Sequence, residues 1–435
     1  MGSKFAAPNN SSFLSQRYIK NETDEGIIKR EPFQRDRDRI IHSRAFRRLM
    51  HKTQIFNANK GDHYRNRLTH SLEVCQIARS IGKALSLNYE LIEAIALGHD
   101  LGHMPFGHVG ERTIHMILSG EVFDKKEITI PGNEGFKHNF QGLHLIDNIE
   151  TTSSEYDGMN LTLAVREGIL KHTGSRMKID IIKEDGTNIK REDEVKYESL
   201  NFKNININKP SFTLEGQVVA IADEIAQCTH DLEDGIRSGI ISIENLNEIS
   251  LVKKIIKEKN IKNDKIKLTV DARNVLIKVM VGYLIDDVYV TSKKVLNQKY
   301  ETIEVPKFID STDVYNEELI VFSEDVKDLV KNLLKQVVQW ILVSQQISQS
   351  DSKAEYFIKQ LFKAYYKHPL ELPDYILKRY YVKRGKEYNR IWIRDEIGAL
   401  HKDMEFIRLI CDHIGSMTDQ YVEREYKRLY MPDEF

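Results

Sequence analysis

Apolar residues recur every three or four positions along most of this chain, the spacing that places them on one face of an α-helix. Within Thr69–Leu87 these residues are Leu72, Cys75, Ala78, Ile81 and Leu85. Asn88 then offers a helix cap before a second amphipathic stretch, and Leu214–Arg237 forms a third. No region of the sequence shows a sustained two-residue alternation with turn signals. The pattern therefore predicts an all-α fold.

Further helices are predicted toward the C-terminus: Leu251–Glu258, Ala272–Tyr289, Glu324–Val343, Lys353–Tyr366 and Met404–Arg428. Two segments break the helical periodicity. The segment Met177–Ser211 is rich in Lys, Asp, Glu and Asn, so we predict an exposed insertion there, a short hairpin or a flap. The N-terminal residues 1–16 are mostly polar and are expected to form a frayed arm.

The composition sets few limits on function. The 435 residues include 64 basic and 65 acidic side chains, so the net charge of −1 gives no argument for a nucleic-acid or membrane partner. The cysteines Cys75, Cys228 and Cys411 are far apart, which disfavours a disulfide framework and a cysteine zinc site. We recognise no secretory leader and no apolar stretch of membrane-spanning length. We therefore expect a soluble, cytoplasmic protein.

The segment His99–Glu111, HDLGHMPFGHVGE, concentrates titratable side chains that must be hydrated, paired or bound to a metal. Adjacent residues on a helix diverge by about 100°. His99 and Asp100 can therefore bind one ion only near a helix end or bend, which the flanking Gly98 and Gly102 would permit. Alone, a His-Asp dipeptide is more often a surface pair or a helix cap.

Two other segments could complete such a metal site. His70 stands at the start of an amphipathic helix in RLTHSLEV, and Asp223 lies beside an apolar stripe, where an unpaired carboxylate would be costly. Polar residues continue along the helix of Asp223 at intervals of four, four and three: Asp223, Gln227, Asp231 and Asp234. A row of polar residues like this is by itself typical of a helix face exposed to solvent. Next to a helix that carries His99 and Asp100, the same row instead favours a metal site.

Longer strings carry a resemblance to a known family. They are SRAFRRLMHKTQIF (Ser43–Phe56), RNRLTHSLEV (Arg65–Val74), EAIALGHDLGHMPFGHVGE (Glu93–Glu111), LEGQVVAIADEIA (Leu214–Ala226) and HIGSMTDQY (His413–Tyr421). Together they resemble the deoxyguanosine triphosphate triphosphohydrolases among the HD-domain metal phosphohydrolases; the animal SAM- and HD-domain dNTPase is a more distant relative. The resemblance implies an HD-domain helical bundle over about residues 35–245. An N-terminal arm (1–34) precedes it, and additional C-terminal helices (246–435) pack on it.

The resemblance also implies a metal site and a reaction. His70, His99, Asp100 and Asp223 match the family's metal ligands. Two imidazoles and two carboxylates suit a divalent Mn, Mg, Fe or Co ion rather than a thiolate-bound metal. Such an ion would polarise the α-phosphate and orient or activate water. The family cleaves between the 5′ oxygen and the α-phosphorus, which implies hydrolysis of a dNTP, with dGTP as the default, to a deoxynucleoside and triphosphate.

Catalytic residues follow from the same motif. His108 matches the family's catalytic histidine, and Glu111, one helical turn later, could orient and charge-stabilise its imidazole. We expect these two residues to transfer protons. His103 is expected to be catalytic as well, in the phosphate pocket, and His138 to line that pocket. The structural alternative is a helix N-terminal acid and a buried histidine.

Cations must converge on a triphosphate. Arg67, one turn before His70, is the strongest candidate, followed by Lys171 and His172 in LAVREGILKHTG. A basic residue on a helix is more often only part of a solvated face. For Lys171 we weigh the two interpretations about equally.

Sugar recognition is expected at three further positions. Gln54 and Asp231 match the family's residues that hold the 3′-hydroxyl group. Gln227 stands where many relatives carry a tyrosine against the deoxyribose. This departure bears on sugar discrimination and base preference, and it leaves the metal ligands intact.

Two other functions are open at this point. One is another HD-type phosphohydrolase, such as a nucleotidase or a cyclic-nucleotide phosphodiesterase, against which the RRLMHKTQ and SMTD segments argue. The other is a nucleotide or single-stranded DNA sensor, against which His108 and Glu111 argue. Because relatives assemble as tetramers or hexamers and are often controlled by nucleotides, the resemblance implies a homo-oligomer. A nucleotide effector or single-stranded DNA is a further candidate partner.

Overall fold

The computed structural model describes residues 3–19, 29–56, 64–124, 127–131, 134–151, 156–173, 176–182, 188–194, 204–259 and 270–431. Within these ranges the α-helices are α1 (Pro32–His42), α2 (Arg44–Arg48), α3 (Arg67–Ala84), α4 (Tyr89–Gly98), α5 (His108–Leu118), α6 (His138–His144), α7 (Leu163–Lys171), α8 (Leu214–Arg237), α9 (Ile243–Glu248), α10 (Ser250–Glu258), α11 (Val270–Lys299), α12 (Glu324–Leu342), α13 (Gln345–Lys367), α14 (Asp374–Lys383), α15 (Ile393–Leu400), α16 (Met404–Gly415) and α17 (Asp419–Tyr430). The all-α prediction is confirmed. Among the described helices, none is both long and apolar enough to cross a bilayer.

One hairpin interrupts the helices, inside the insertion predicted at Met177–Ser211. Strand β1 (Arg176–Ile182) pairs antiparallel with β2 (Asn188–Glu194). The hairpin prediction is therefore confirmed for these strands. Residues 183–187 and 195–203 of the predicted insertion lie outside the described residues.

Helices α3, α4 and α8 pack against one another and form the centre of the bundle. Each begins at a side-chain cap, since Asn66, Asn88 and Thr213 accept hydrogen bonds from backbone N–H groups in the first turn. The predicted cap at Asn88 is thus confirmed. The three helices fix the positions of His70, the His99–Asp100 pair and Asp223.

The buried apolar side chains form two clusters. The first extends from the N-terminal segment through α3, α4 and α8 to α10, α11 and α12, and ends at Ile347. The second joins α5 to the C-terminal helices from Phe357 to Val422. Helix α13 contributes to both, so the C-terminal helices contact the rest of the chain in two different places. The boundaries at residues 34 and 245 stay predictions.

The N-terminal segment is packed where the structure describes it, and the expectation of a frayed arm is wrong there. Phe13 and Leu14 are buried in the first cluster. The backbone N–H of Ala7 donates to Glu215 at 2.9 Å, and that of Ala164 donates to the carbonyl oxygen of Leu14 at 3.1 Å. The few apolar residues among the polar ones anchor this segment because they fill the core.

Glu215 links the N-terminal segment to the bundle and gives a pH-dependent prediction. Its Oε1 accepts the N–H groups of Ala7 and Asn88, while Oε2 is buried with no hydrogen-bond partner among the described residues. Burial raises the pKa of Glu215 to about 7, against 4.5 for an ordinary glutamate. Its stabilising contribution is therefore full below pH 4.5 and is lost as the pH rises through 7.

We expect Glu215→Gln to remove this pH dependence. As the pH rises from 4.5 to 8, the wild type should lose up to about 3 kcal/mol of its free energy of unfolding relative to the variant. Denaturant unfolding at several pH values measures the shift, with the exposed Glu301→Gln as the control. An unchanged difference between variant and wild type across this range would contradict the assignment.

The helix predicted over Met404–Arg428 is wrong in one respect, because it is two helices. Helix α16 ends at Gly415, and α17 begins at Asp419, after Thr418 accepts a hydrogen bond from the N–H of Tyr421 at 3.2 Å. The apolar periodicity continues across the break, so the pattern alone does not reveal it. The break places Asp419 at a helix N-terminus.

Candidate metal centre and active site

The His99–Asp100 pair lies at a helix end, as predicted, because α4 ends at Gly98 and His99 is its C-cap. The flanking glycines have a different role from the expected one. A Cβ atom on Gly98 would lie 2.6 Å from Ile169 Cδ1, and one on Gly102 would lie 2.0 Å from the carbonyl oxygen of His138. Both glycines therefore permit close packing of neighbouring segments, and neither has a positive φ angle.

The four predicted metal ligands converge. His70 Nε2 lies 3.0 Å and His99 Nε2 lies 3.7 Å from Asp223 Oδ1. Ligand atoms of these three residues all lie within 4.8 Å of one another. Asp100 borders this group, since its Oδ1 is 3.3 Å from His99 Nε2, and it also forms a second group of possible ligands with His103 and His138. Residues far apart in sequence thus bring two imidazoles and two carboxylates together.

The chemistry of these side chains fits a divalent cation. His99 Nδ1 donates to the carbonyl oxygen of Ala96 at 2.7 Å, which leaves Nε2 as a lone pair directed at the cluster. This nitrogen is buried and has no hydrogen-bond partner among the described residues. Burial alone would raise the pKa values of Asp100 and Asp223, but the neighbouring histidines lower both. Two ionised carboxylates facing an unpaired imidazole nitrogen favour a bound cation.

A chain of hydrogen-bonded side chains orients His70, and the sequence did not predict it. His70 Nδ1 lies 3.2 Å from His230 Nδ1, and His230 Nε2 lies 3.0 Å from a carboxylate oxygen of Glu73, which Arg65 also contacts. The carboxylate fixes the proton on His230 Nε2, so His230 Nδ1 accepts the proton of His70 Nδ1. His70 Nε2 is hydrogen-bonded to Asp223 at 3.0 Å, and with the Nδ1 proton held by His230, it is Nε2 that would bind a metal ion. The only signal in the sequence is that His230 lies two turns after Asp223.

Glu111 connects three histidines. Its Oε2 lies 3.0 Å from His138 Nδ1, 3.9 Å from His108 Nδ1 and 4.0 Å from His103 Nδ1. The predicted Glu111–His108 pair is therefore within ion-pair distance, while the hydrogen bond of the carboxylate goes to His138. The His108 side chain is 70% exposed and that of Glu111 is 5% exposed. The imidazole of His108 is thus open to solvent, with a buried carboxylate behind it.

His138 sits between Glu111 and His172. His172 Nδ1 donates to the carbonyl oxygen of Ile169 at 2.6 Å, so its Nε2 accepts from His138 Nε2 at 3.1 Å. Because His138 Nδ1 also lies 3.0 Å from Glu111 Oε2, the ring links this carboxylate to His172. His103 stacks on His138 with ring centroids 3.7 Å apart, and its Nε2 lies 3.0 Å from Asp100 Oδ1.

Three predicted substrate-binding residues lie close to these groups. Arg67 is buried and donates to Asp100 Oδ2 at 2.9 Å. Gln54 Oε1 is buried and has no hydrogen-bond partner in the part of the chain that the structure describes. Asp231 is buried on α8, and burial raises its pKa to about 8. Gln54 therefore offers a buried oxygen atom that a ligand could hydrogen-bond.

Lys171 is placed differently from the expectation. Its ammonium group donates to the carbonyl oxygens of Asn206 and Lys209 and lies 3.8 Å from Glu167 Oε1. The group therefore holds the loop before α8 rather than pointing at the histidines. Lys171 still lines the cavity beside the metal ligands.

That cavity has a volume of about 620 Å³, which is within the range of small-molecule sites. Asp223, His172 and Gln227 contribute to its wall near the metal ligands. Ile320 and Phe322 form part of an apolar wall. A ligand in this cavity would thus contact Asp223 at one end and apolar side chains elsewhere.

Comparison with known proteins identifies the family. The HD domain matches residues 67–227, and the phosphohydrolase-associated domain matches residues 320–428. The chain is 35% identical to a deoxyguanosinetriphosphate triphosphohydrolase-like protein of Bartonella tribocorum, over 92% of this chain and 90% of the relative. A protein of the same description from Thiobacillus denitrificans is 34% identical, over 93% and 92%. A third, from Geobacter sulfurreducens, is 33% identical, over 93% and 90%. The chain therefore belongs to the deoxyguanosinetriphosphate triphosphohydrolase-like family of HD-domain phosphohydrolases.

Proposed function

We propose that this protein hydrolyses deoxynucleoside triphosphates, with dGTP as the default substrate, to a deoxynucleoside and inorganic triphosphate. One observation carries the proposal: the group of His70, His99 and Asp223, which Asp100 borders, is connected through His103 to an exposed imidazole, His108, that is backed by a buried carboxylate. Metal ligands next to a proton-transfer group are what hydrolysis of a phosphate ester requires. The description of the relatives supplies the substrate class.

The four ligands would hold a divalent ion, for which Mn, Mg, Fe or Co is suitable, and the bound ion would polarise the α-phosphate and orient or activate water. Arg67 supplies positive charge next to Asp100, to which it donates at 2.9 Å. The guanidinium group neutralises part of the charge that collects when a triphosphate enters. His103 and His138 add a stacked pair of rings on the same side.

Proton transfer is assigned to His108. Attack of water on the α-phosphorus breaks the bond to O5′, so that O5′ takes up a proton and the water releases one to solvent. Among the imidazoles that surround Glu111, that of His108 is exposed, while those of His103 and His138 are buried. We assign it the transfer to O5′, and Glu111 stabilises its protonated form. His138, which is hydrogen-bonded to Glu111, fixes the carboxylate in place.

The sugar is proposed to lie between Gln54 and Asp231, each of which can hydrogen-bond the 3′-hydroxyl group. Gln227 lines the cavity on the same helix as Asp231. An amide at this position packs less tightly against a deoxyribose than an aromatic ring would. We therefore expect weaker rejection of ribonucleotides than a tyrosine would give.

Product analysis tests the proposal. The full chain is incubated with each of the four dNTPs and with GTP, singly and in mixtures, under Mn²⁺ or Mg²⁺. We expect a deoxynucleoside and intact inorganic triphosphate. Orthophosphate or a nucleoside monophosphate as the product would instead indicate another phosphohydrolase. Binding without turnover of any nucleotide would indicate a sensor.

We further propose a homo-oligomer, a tetramer or a hexamer, with a nucleotide effector or single-stranded DNA as a candidate partner, and a cytoplasmic location. The same incubation addresses the effector, because activity that occurs only in mixtures would reveal activation by a second nucleotide. Light scattering with and without dGTP measures the subunit number.

A further inference from the structure

The SMTD segment of the C-terminal region reaches into the active site through Asp419. This side chain is buried, and its Oδ1 accepts the backbone N–H of Phe106 at 2.9 Å. Its other oxygen, Oδ2, accepts the N–H of Thr53 at 2.8 Å. Phe106 lies two residues before His108, and Thr53 directly precedes Gln54. One carboxylate thus holds the two backbone segments that carry a catalytic and a sugar-binding residue.

The loop that Asp419 holds has an unusual backbone. Phe106 has a φ angle of +61° and Gly107 one of +60°, immediately before α5 begins at His108. A positive φ angle is unfavourable for phenylalanine, so neighbouring contacts must hold this conformation. A Cβ atom on Gly107 would lie 3.1 Å from Arg67 Nη2 and 3.4 Å from the carbonyl oxygen of Gln54. The loop therefore fits closely against substrate-binding residues.

A second link runs parallel to the first. The buried Lys52 ammonium group donates to the carbonyl oxygen of His103 and, at 2.9 Å, to that of Gly415 at the end of α16. A Cβ atom on Gly415 would lie 2.6 Å from Met104 Sδ, so the helix end and the loop are in close contact. Both ends of the loop from His103 to Phe106 are thus fixed by the break between α16 and α17.

We propose that Asp419 is a positioning residue: with Lys52, it clamps the loop before His108 and the segment before Gln54 in their active arrangement. Through these contacts the phosphohydrolase-associated region completes the active site of the HD domain, while the Asp419 side chain itself binds backbone rather than substrate. A shift of about 1 Å in a catalytic group can lower a rate by about 10²-fold, so loss of the clamp should act mainly on kcat. This consequence for turnover rests on the proposed function.

Asp419→Asn tests the clamp, because the amide keeps the shape and presents an N–H₂ group to one of the two backbone N–H donors. We expect kcat for dGTP with Mn²⁺ to fall by about 10²-fold, with the affinity for Mn²⁺ unchanged. Hydrogen–deuterium exchange should become faster in peptides that cover residues 51–56 and 103–108. Lys52→Met breaks the second link without adding a charge and should act in the same direction, which keeps the test decisive if Asp419→Asn fails to fold.

Asp412→Asn is the matched control. Asp412 lies on α16, and its two oxygens accept hydrogen bonds from Gln141 at 2.8 Å and His144 at 2.9 Å, away from the loop. This variant should lose a comparable pair of contacts, retain kcat within about two-fold, and show faster exchange at α6 only. Equal kcat values for the two variants, or a fall in kcat without faster exchange at 103–108, would overturn the inference. Exchange needs no substrate, so it decides the clamp even if no triphosphate is released.

Discussion

Asp223→Asn should abolish metal binding and reduce dNTP turnover by about 10³-fold or more, the effect of losing about 4 kcal/mol of charge stabilisation. Asp223 Oδ1 lies 3.0 Å from His70 Nε2 and 3.7 Å from His99 Nε2, so it is the carboxylate that the two imidazoles share. An amide in its place keeps the volume and can still hydrogen-bond His70 Nε2, as donor or acceptor, but it removes the negative charge that a divalent ion requires.

Calorimetric titration with Mn²⁺ and initial rates of triphosphate release measure the two effects separately. The control is Glu215→Gln, which removes a buried carboxylate from the same helix, α8, more than two turns before Asp223. This control should bind Mn²⁺ as the wild type does. Normal Mn²⁺ affinity in Asp223→Asn would show that the ion is held elsewhere.

The sequence was most informative where apolar periodicity and side-chain caps act together. Helix α8 has the predicted bounds, and Asn88 caps α4 as expected. Both features are local, since they depend on residues within one or two helical turns. The break before Asp419 is different, because its apolar pattern continues and the carboxylate bonds to residues far away in sequence. Local patterns cannot report such contacts.

In the candidate site, too, local features could be predicted and contacts between distant residues could not. The convergence of the proposed metal ligands could be predicted because the strings around His70, His99 and Asp223 resemble those of a known family. Glu111 was expected to pair with His108 because the two lie one turn apart. In the fold, α6 brings His138 closer to the carboxylate, at 3.0 Å. Which imidazole a buried carboxylate binds depends on how helices pack, and helical spacing does not determine that.

His108→Ala should reduce kcat by about 10²–10⁴-fold, the contribution of a well-placed acid–base group, and leave Mn²⁺ binding intact. The side chain is 70% exposed, so its removal should cost little stability. The control is His115→Gln on the same helix, α5, where a buried imidazole accepts the N–H of Phe136 at 3.0 Å. That change should alter stability but not kcat.

His138→Gln distinguishes the two imidazoles that face Glu111. If His108 transfers the proton, its loss should lower kcat with little change in KM, and the His138 variant should retain more activity. The smaller effect of His138→Gln should come from loss of the 3.0 Å hydrogen bond between this side chain and Glu111. If instead His138→Gln is the slower enzyme and His108→Ala turns over dGTP at the wild-type rate, the proton comes from the buried ring. His108 would then be only an exposed neighbour of Glu111.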